Sequence, residues 1–309
     1  MVKSILITTS AFDIKNFQSE ILEKLNNNKI KIIFNPHQRR LKENEVLELL
    51  RQNVIGMIAG VEPLTQKVLQ TASTLKVISR CGVGLDNIDL EAAQDLQIQV
   101  YNTPDAPTIA VAEFTIALML NLIRHISIAD QMVRRGEWKA LMGNLLSEKT
   151  IGIVGFGRIG KSVHTLLRAF GAEVLVCDLR TDALPNNVAH CSLDYLLQSS
   201  DIVTLHVPYS ADNHYLINET TLARMKPNAI LVNTSRGDLI QESALYQALK
   251  SKRLAGAALD VYSSEPYHGQ LIELPNILLT AHMGGYAHEA RNLMEQQAVD
   301  NLMKGLEIN

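Results

Sequence analysis

Cysteine is scarce in this chain of 309 residues: Cys81, Cys177 and Cys191 are the only three. An odd number without C-x-x-C spacing suggests neither a disulfide framework nor a zinc site, and a reduced, cytoplasmic setting is expected. Aromatic residues are few, at 5%, within a hydrophobic content of 47%, an ordinary globular balance. There is no excess of basic charge. The net charge is -3 with acids and bases interspersed, which argues against nucleic acid as the main partner. Long apolar runs are missing too. No stretch approaches the ~18 consecutive apolar residues of a membrane span, so none is expected. The opening MVKSILITTS has too short an apolar run for a signal peptide and reads as a first β-strand. No low-complexity tract and no solenoid-period repeat is seen.

What is present is alternation. Short β-branched runs precede amphipathic stretches: SILITT before a helical pattern near 15–26, KIIF before ENEVLELLRQ, VIGMIAG before LTQKVLQTA, and KVISRCG before IDLEAAQDL. The segment VAEFTIALMLNLIRHISIADQMVRRGEW then reads as one long helix, with no Gly or Pro before Gly136. From 150 the alternation resumes through TIGIVGFG, EVLVCD, DIVTLHVP, AILVNTSRG, LAGAALDVY and NILLTAH, closing on a helical 286–305. The expected fold class is α/β: two Rossmann-like lobes, each a doubly wound parallel sheet, in tandem.

Only the second lobe carries a nucleotide fingerprint. In IGIVGFGRIGKSVHTLL, Gly155, Gly157 and Gly160 form G-x-G-x-x-G between an apolar strand and a helix. The first glycine permits the tight turn, the second lets backbone approach a pyrophosphate, and the third lets helix pack on strand. Arg158 and Ile159 lie inside the motif. A lone motif of this kind is often just a glycine-rich turn. Here the next strand, EVLVCD, ends in Asp178, where an acid accepts from the ribose hydroxyls of the adenosine and repels a 2′-phosphate. NAD is therefore expected over NADP, with Arg180 close enough to soften that preference.

In a doubly wound sheet, ligands gather at the carboxyl ends of strands. Those ends offer His206 and Pro208, then Thr234, Ser235 and Arg236, then Asp260 and Glu265, and finally His282. Taken singly, Arg236-Gly237 is a solvated turn, Glu265-Pro266 a loop, and His282 a loop histidine bonded to a carbonyl. On consecutive strand ends they suit the reduction of a 2-keto acid. An imidazole gives or takes the proton. A carboxylate beside it favours its protonated form and orients the ring. A guanidinium holds the substrate carboxylate with a forked grip that lysine lacks.

Between about Gly60 and Ala290 the chain resembles the D-2-hydroxyacid dehydrogenases, most closely the branch containing D-3-phosphoglycerate dehydrogenase. The matching stretches are GVEPLT, LKVISRCGVGLDNIDLEAA, VAEFTIALML, GFGRIGK, SSDIVTLHVP, MKPNAILVNTSRG, ALDVYSSEP and AHMGG. The resemblance implies Arg236, Glu265 and His282 as the catalytic trio and Asp260 as the acid holding the nicotinamide carboxamide. His206, Pro208, Thr234 and Gly284 fall in the coenzyme site. Backbone N–H groups of Gly82, Val83 and Gly84 would receive the substrate carboxylate, and Arg80 a substrate phosphate. It further implies a lid domain of 1–99 with 288–309, an NAD-binding domain of 100–287, an active-site cleft between the lobes, and a homodimer using the long helical segment after 108.

Departures bear on substrate. Gly60-Val61-Glu62 stands where phosphoglycerate enzymes often carry another Arg, so phosphate recognition would rest largely on Arg80. The chain ends at Asn309, so no C-terminal regulatory domain or serine feedback is expected. Gln241 and Tyr286-Ala287 replace an acidic cap and a small hydroxyl residue, both read as structural. Glu265 argues against a formate dehydrogenase, which uses Gln beside its His. The expected reaction is NAD-dependent interconversion of a D-2-hydroxy acid and its keto acid. The leading substrate is 3-phosphoglycerate, the entry to serine biosynthesis, and the alternative is a glyoxylate/hydroxypyruvate-type acid. An NAD-binding corepressor is a third reading, disfavoured by the lack of an extended tail or peptide-binding insertion. A pseudoenzyme scaffold is disfavoured because the trio is intact.

Overall fold

The computed structural model of the chain describes all residues except 1, 11, 181–183, 186 and 309. Strands that are apolar on both faces can be buried only between two helical layers, and the chain builds two such parallel sheets. Each belongs to its own unit: Met1–Pro107 with Tyr286–Asn309, and Thr108–Gly285.

In the first unit, β1 (Ser4–Ile7), β2 (Lys31–Phe34), β3 (Val54–Ala59), β4 (Val77–Arg80) and β5 (Gln99–Asn102) pair in the order β2-β1-β3-β4-β5. They alternate with α1 (Ser19–Asn27), α2 (Glu43–Leu50), α3 (Gln66–Thr71) and α4 (Leu90–Asp95). β1 and β3 are buried along their whole length, which is why SILI and VIGMIA read as unbroken apolar runs. β5 escaped the sequence reading because QVYN is short and half polar. It pairs with β4, Gln99 opposite Val77, so the expected boundary at 99/100 falls at the start of a strand and the first unit runs to Pro107.

The second unit opens with α5 (Thr108–Arg124) and α6 (Ile126–Arg134). The single long helix expected here is broken at His125, whose φ is +56°, and the two pieces bend by 61°. No Gly or Pro marks the break. Asn121 makes it, accepting from the Ser127 N–H at 3.0 Å and donating to Ser127 Oγ at 2.7 Å, so α6 starts on a new axis. The sheet then follows: β6 (Thr150–Val154), α7 (Arg158–Ala169), β7 (Glu173–Cys177), β8 (Ala189–His190), α8 (Leu193–Ser199), β9 (Ile202–Leu205), α9 (Glu219–Arg224), β10 (Ile230–Asn233), α10 (Glu242–Lys250), β11 (Gly256–Leu259) and β12 (Ile277–Leu279). Strand order is β12-β11-β10-β9-β6-β7-β8, the dinucleotide-binding order with one strand added at the far edge. The order in which strands are added reverses between β6 and β9, so their carboxyl ends flank the crevice where such sheets bind ligands.

The last helix, α11 (His288–Gly305), returns to the first unit and packs on β3, β4 and β5. Ala290, Met294, Ala298 and Leu302 recur every four residues as its buried stripe. Buried Glu295 accepts from the Asp13 N–H at 2.9 Å, Asn16 Nδ2 at 2.7 Å and Arg291 Nη2 at 2.7 Å, tying α11 to the segment after β1. Among the described residues no single helix is long and apolar enough to cross a membrane.

Candidate active site

At the crevice, β6 ends and Gly155 turns the chain with φ +97°. A Cβ on Gly160 would lie 2.1 Å from Gly155 O, so α7 packs against the turn only because that residue is glycine. A Cβ on Gly157 would meet nothing within 4 Å. Gly157 is the N-cap of α7 and offers no side-chain cap. Open space above the uncapped positive end of a 12-residue helix fits a pyrophosphate. Arg158 opens the helix, while the Ile159 side chain packs on the unit's core and leaves only backbone for the coenzyme.

Beside the turn lies a cavity of ≈ 370 Å³ bordered by Phe156, Gly157, Arg158, Lys161, Asp178 and Arg180. Asp178 accepts from the Phe156 N–H at 2.6 Å and from the Arg180 N–H at 2.8 Å. These bonds aim the carboxylate at the cavity and leave lone pairs for ribose hydroxyls. These residues fit NAD. At the end of β9, burial pushes the His206 imidazole down to about 3, so it stays neutral, with Nε2 2.9 Å from Thr204 Oγ1. Pro208 is exposed two residues on. Thr234 is buried, its Oγ1 3.0 Å from Thr115 Oγ1, so its hydroxyl fastens β10 to α5.

β10, β11 and β12 are neighbours, and their carboxyl ends carry Arg236, Glu265 and His282 in that order. His282 Nδ1 lies 2.9 Å from Glu265 Oε2 and 3.1 Å from Oε1. The His282 side chain is 46% exposed, so the ring has a carboxylate behind it and open space before it. Arg236 sits one strand further in, its Nη1 donating to Ser235 O at 2.7 Å. Gly237 brings the Arg236 turn against the β11 loop, since a Cβ there would lie 1.9 Å from the Tyr262 carbonyl carbon. β12 is a half-buried edge strand ending at Leu279.

Two placements add internal partners to the expected site residues. Asp260 is 1% exposed and its carboxylate is engaged by the His282 loop. Oδ1 accepts from Thr280 Oγ1 at 2.6 Å and the Met283 N–H at 2.8 Å, and Oδ2 from the Gly284 N–H at 2.8 Å. Asp260 therefore positions His282, whose φ of +52° needs such a clamp, and the Gly284 N–H is spent on it. In the first unit, the Gly82 N–H donates to Thr103 Oγ1 at 2.8 Å, so it is not open to a carboxylate. Exposed Val83 and half-buried Gly84 follow it, and the Arg80 guanidinium donates to the Cys81 carbonyl.

Tyr262 is a site residue outside the expected set. Its single hydroxyl proton is within reach of two carbonyls, Thr280 O at 2.8 Å and Leu259 O at 3.0 Å, while its N–H donates to Glu265 Oε1 at 3.2 Å. It thus joins the loops that carry Glu265 and His282. Its position between Asp260 and Glu265 in LDVYSSEP was the available signal. Glu62, also unassigned, is 1% exposed; burial pushes its carboxyl up, against its bond from Thr8 Oγ1.

Residues 116–284 match the family model described as D-isomer specific 2-hydroxyacid dehydrogenase, NAD binding domain. The chain belongs to this family. As a D-2-hydroxyacid dehydrogenase it is an NAD-dependent oxidoreductase, and its second unit is the NAD-binding domain. A hydroxypyruvate reductase of Thermotoga maritima is 35% identical over 274 residues, 87% of this chain and 90% of that protein. A D-3-phosphoglycerate dehydrogenase of Synechocystis is 38% identical over 257 residues, 81% of this chain but only 46% of that protein. The chain thus spans about half the length of the phosphoglycerate dehydrogenase relatives it matches. A solved Thermus thermophilus structure superposes with a TM-score of 0.89 at 35% identity, covering 98% of this chain and 97% of that one.

Proposed function

We propose that this dehydrogenase interconverts a D-2-hydroxy acid and its 2-keto acid, with 3-phosphoglycerate and 3-phosphohydroxypyruvate as the leading pair. The His282–Glu265 contact of 2.9 Å, beside Arg236 on the next strand but one, carries the reading. Bound NADH supplies the hydride. His282 gives the proton to the forming alkoxide through Nε2, since Nδ1 faces Glu265. Arg236 grips the substrate carboxylate, and Arg80 with the Val83 and Gly84 N–H groups completes the substrate contacts.

A second reading, an unphosphorylated hydroxypyruvate- or glyoxylate-type acid, is favoured by Glu62. That buried carboxyl feels the Arg80 charge and stands where phosphoglycerate enzymes often place another cation. The deciding experiment is NADH oxidation with 3-phosphohydroxypyruvate, hydroxypyruvate and glyoxylate, repeated with NADPH and with Arg80→Ala. If phosphate is read, Arg80→Ala lowers kcat/KM for the phosphorylated acid by ~10-fold more than for the others. Equal losses mean that Arg80 does not read phosphate, preference for an unphosphorylated acid favours the second reading, and no turnover with any of the three revives the NAD-binding regulator.

We further infer a homodimer formed through the α6 region. Trp138 and Met142 are each 92% exposed, and Ile126, Ile128 and Val133 add apolar surface on α6. Sedimentation equilibrium should give twice the 34.2 kDa chain mass, and Trp138→Asp should shift it toward monomer. A monomeric wild type would refute this.

A further inference from the structure

Two of the three cysteines lie side by side. β7 and β8 run parallel with Leu175 opposite Ala189 and Val176 opposite His190, and the Cys191 N–H donates to Val176 O at 2.9 Å. Continued by one step, that register would set Cys177 opposite Cys191, and the two thiols are close enough to influence each other electrostatically. Both side chains pack on the same apolar cluster, with Leu175 and Leu196, so they project from one face of the sheet. Each is half-buried and neither is in a disulfide. Neighbouring strands lie ~4.8 Å apart, inside the Cα separation that a disulfide spans. β8 is a two-residue strand at the sheet edge, with no further strand among the described residues to resist the small approach that bond formation needs.

The pair adjoins the coenzyme site. Cys177 directly precedes Asp178, whose carboxylate accepts from the Phe156 N–H of the glycine-rich turn at 2.6 Å. His190, next to Cys191, places Nε2 3.3 Å from Asp178 O. Drawing β8 against β7 therefore moves the backbone that aims Asp178. Burial pushes both thiols up, and for Cys177 the neighbouring Cys191 adds to the effect, so both are mainly protonated at neutral pH and react slowly.

We propose that Cys177 and Cys191 form a dithiol site for small disulfides of the glutathione type, and that its closure weakens NADH binding. One cysteine, as thiolate, attacks a sulfur of the small disulfide, whose S–S bond breaks and releases one thiol. The second cysteine, after losing its proton, displaces the other thiol from the mixed disulfide. Two protein S–H groups become one S–S bond, and the small disulfide is reduced to two thiols. The site is independent of which 2-hydroxy acid the enzyme uses.

The test incubates the full chain with oxidised glutathione, then maps peptides by mass and titrates NADH by fluorescence. The expected result is a Cys177–Cys191 crosslinked peptide pair and a mass lower by about 2 Da. NADH Kd should rise by ~10-fold, return on reduction, and stay constant in Cys191→Ser, with Cys191→Ala as a second variant. Persisting free thiols, glutathione left on single cysteines, or a closed disulfide with unchanged NADH Kd would each overturn the proposal.

Discussion

Replacing His282 by alanine lowers turnover by at least ~100-fold and leaves NADH affinity within about 2-fold, the pattern expected when a proton donor is removed from an intact coenzyme site. The geometry separates these effects. His282 is at the edge strand β12, with Glu265 behind its Nδ1, whereas the pyrophosphate site is built from β6 and α7. The side chain is 46% exposed, and its loop is held by Asp260 through the Met283 and Gly284 N–H groups, so truncation leaves backbone bonds in place. Glu265→Gln should lower turnover less, because the ring remains and only its carboxylate partner is neutralised. Stopped-flow NADH oxidation with a keto acid in excess, alongside NADH fluorescence titration, reads both quantities. Unchanged turnover in His282→Ala would remove His282 from the chemistry.

The second large effect lies in the glycine-rich turn, where two alanine substitutions three residues apart should fail in different ways. Gly160→Ala places a methyl 2.1 Å from Gly155 O, a backbone atom that no rotamer change can move. Destabilisation by about 3 kcal/mol or more is expected, seen as a lower urea midpoint for the unit together with lost NADH binding. Gly157→Ala places its methyl in open space at φ −71°, a conformation alanine accepts, so the urea midpoint should barely change. Its methyl instead occupies the approach to the α7 N-terminus, and NADH affinity should fall by ~10-fold or more. Equal losses of stability in the two variants would show that the space beside Gly157 is not kept for a ligand.

Much of this arrangement was legible in one dimension. β1, β3 and β6 are buried on both faces and read as apolar runs, while α7 is announced by the glycine motif that opens it. Gly155, Gly157, Gly160 and Asp178 could be named because the turn and the following strand are local in sequence. Arg236, Glu265 and His282 could be named as strand ends. That they form one edge depends on the order β10-β11-β12, which follows from how each crossover packs.

What escaped the sequence involves partners far apart along the chain or a side chain replacing an expected signal. The break at His125 has no Gly or Pro because Asn121 binds Ser127 across it. Asp260 holds the His282 loop, from 20 residues before Thr280, and Thr103 takes the Gly82 N–H from 21 residues away. Cys177 and Cys191 come near one another only because β8 lies parallel to β7. Local spacing thus determined which residue types stand at strand ends and turns, since backbone geometry dictates that within a few residues. Strand order and register decided which of them touch, because hydrogen bonds and burial between distant segments are satisfied only once the sheets assemble.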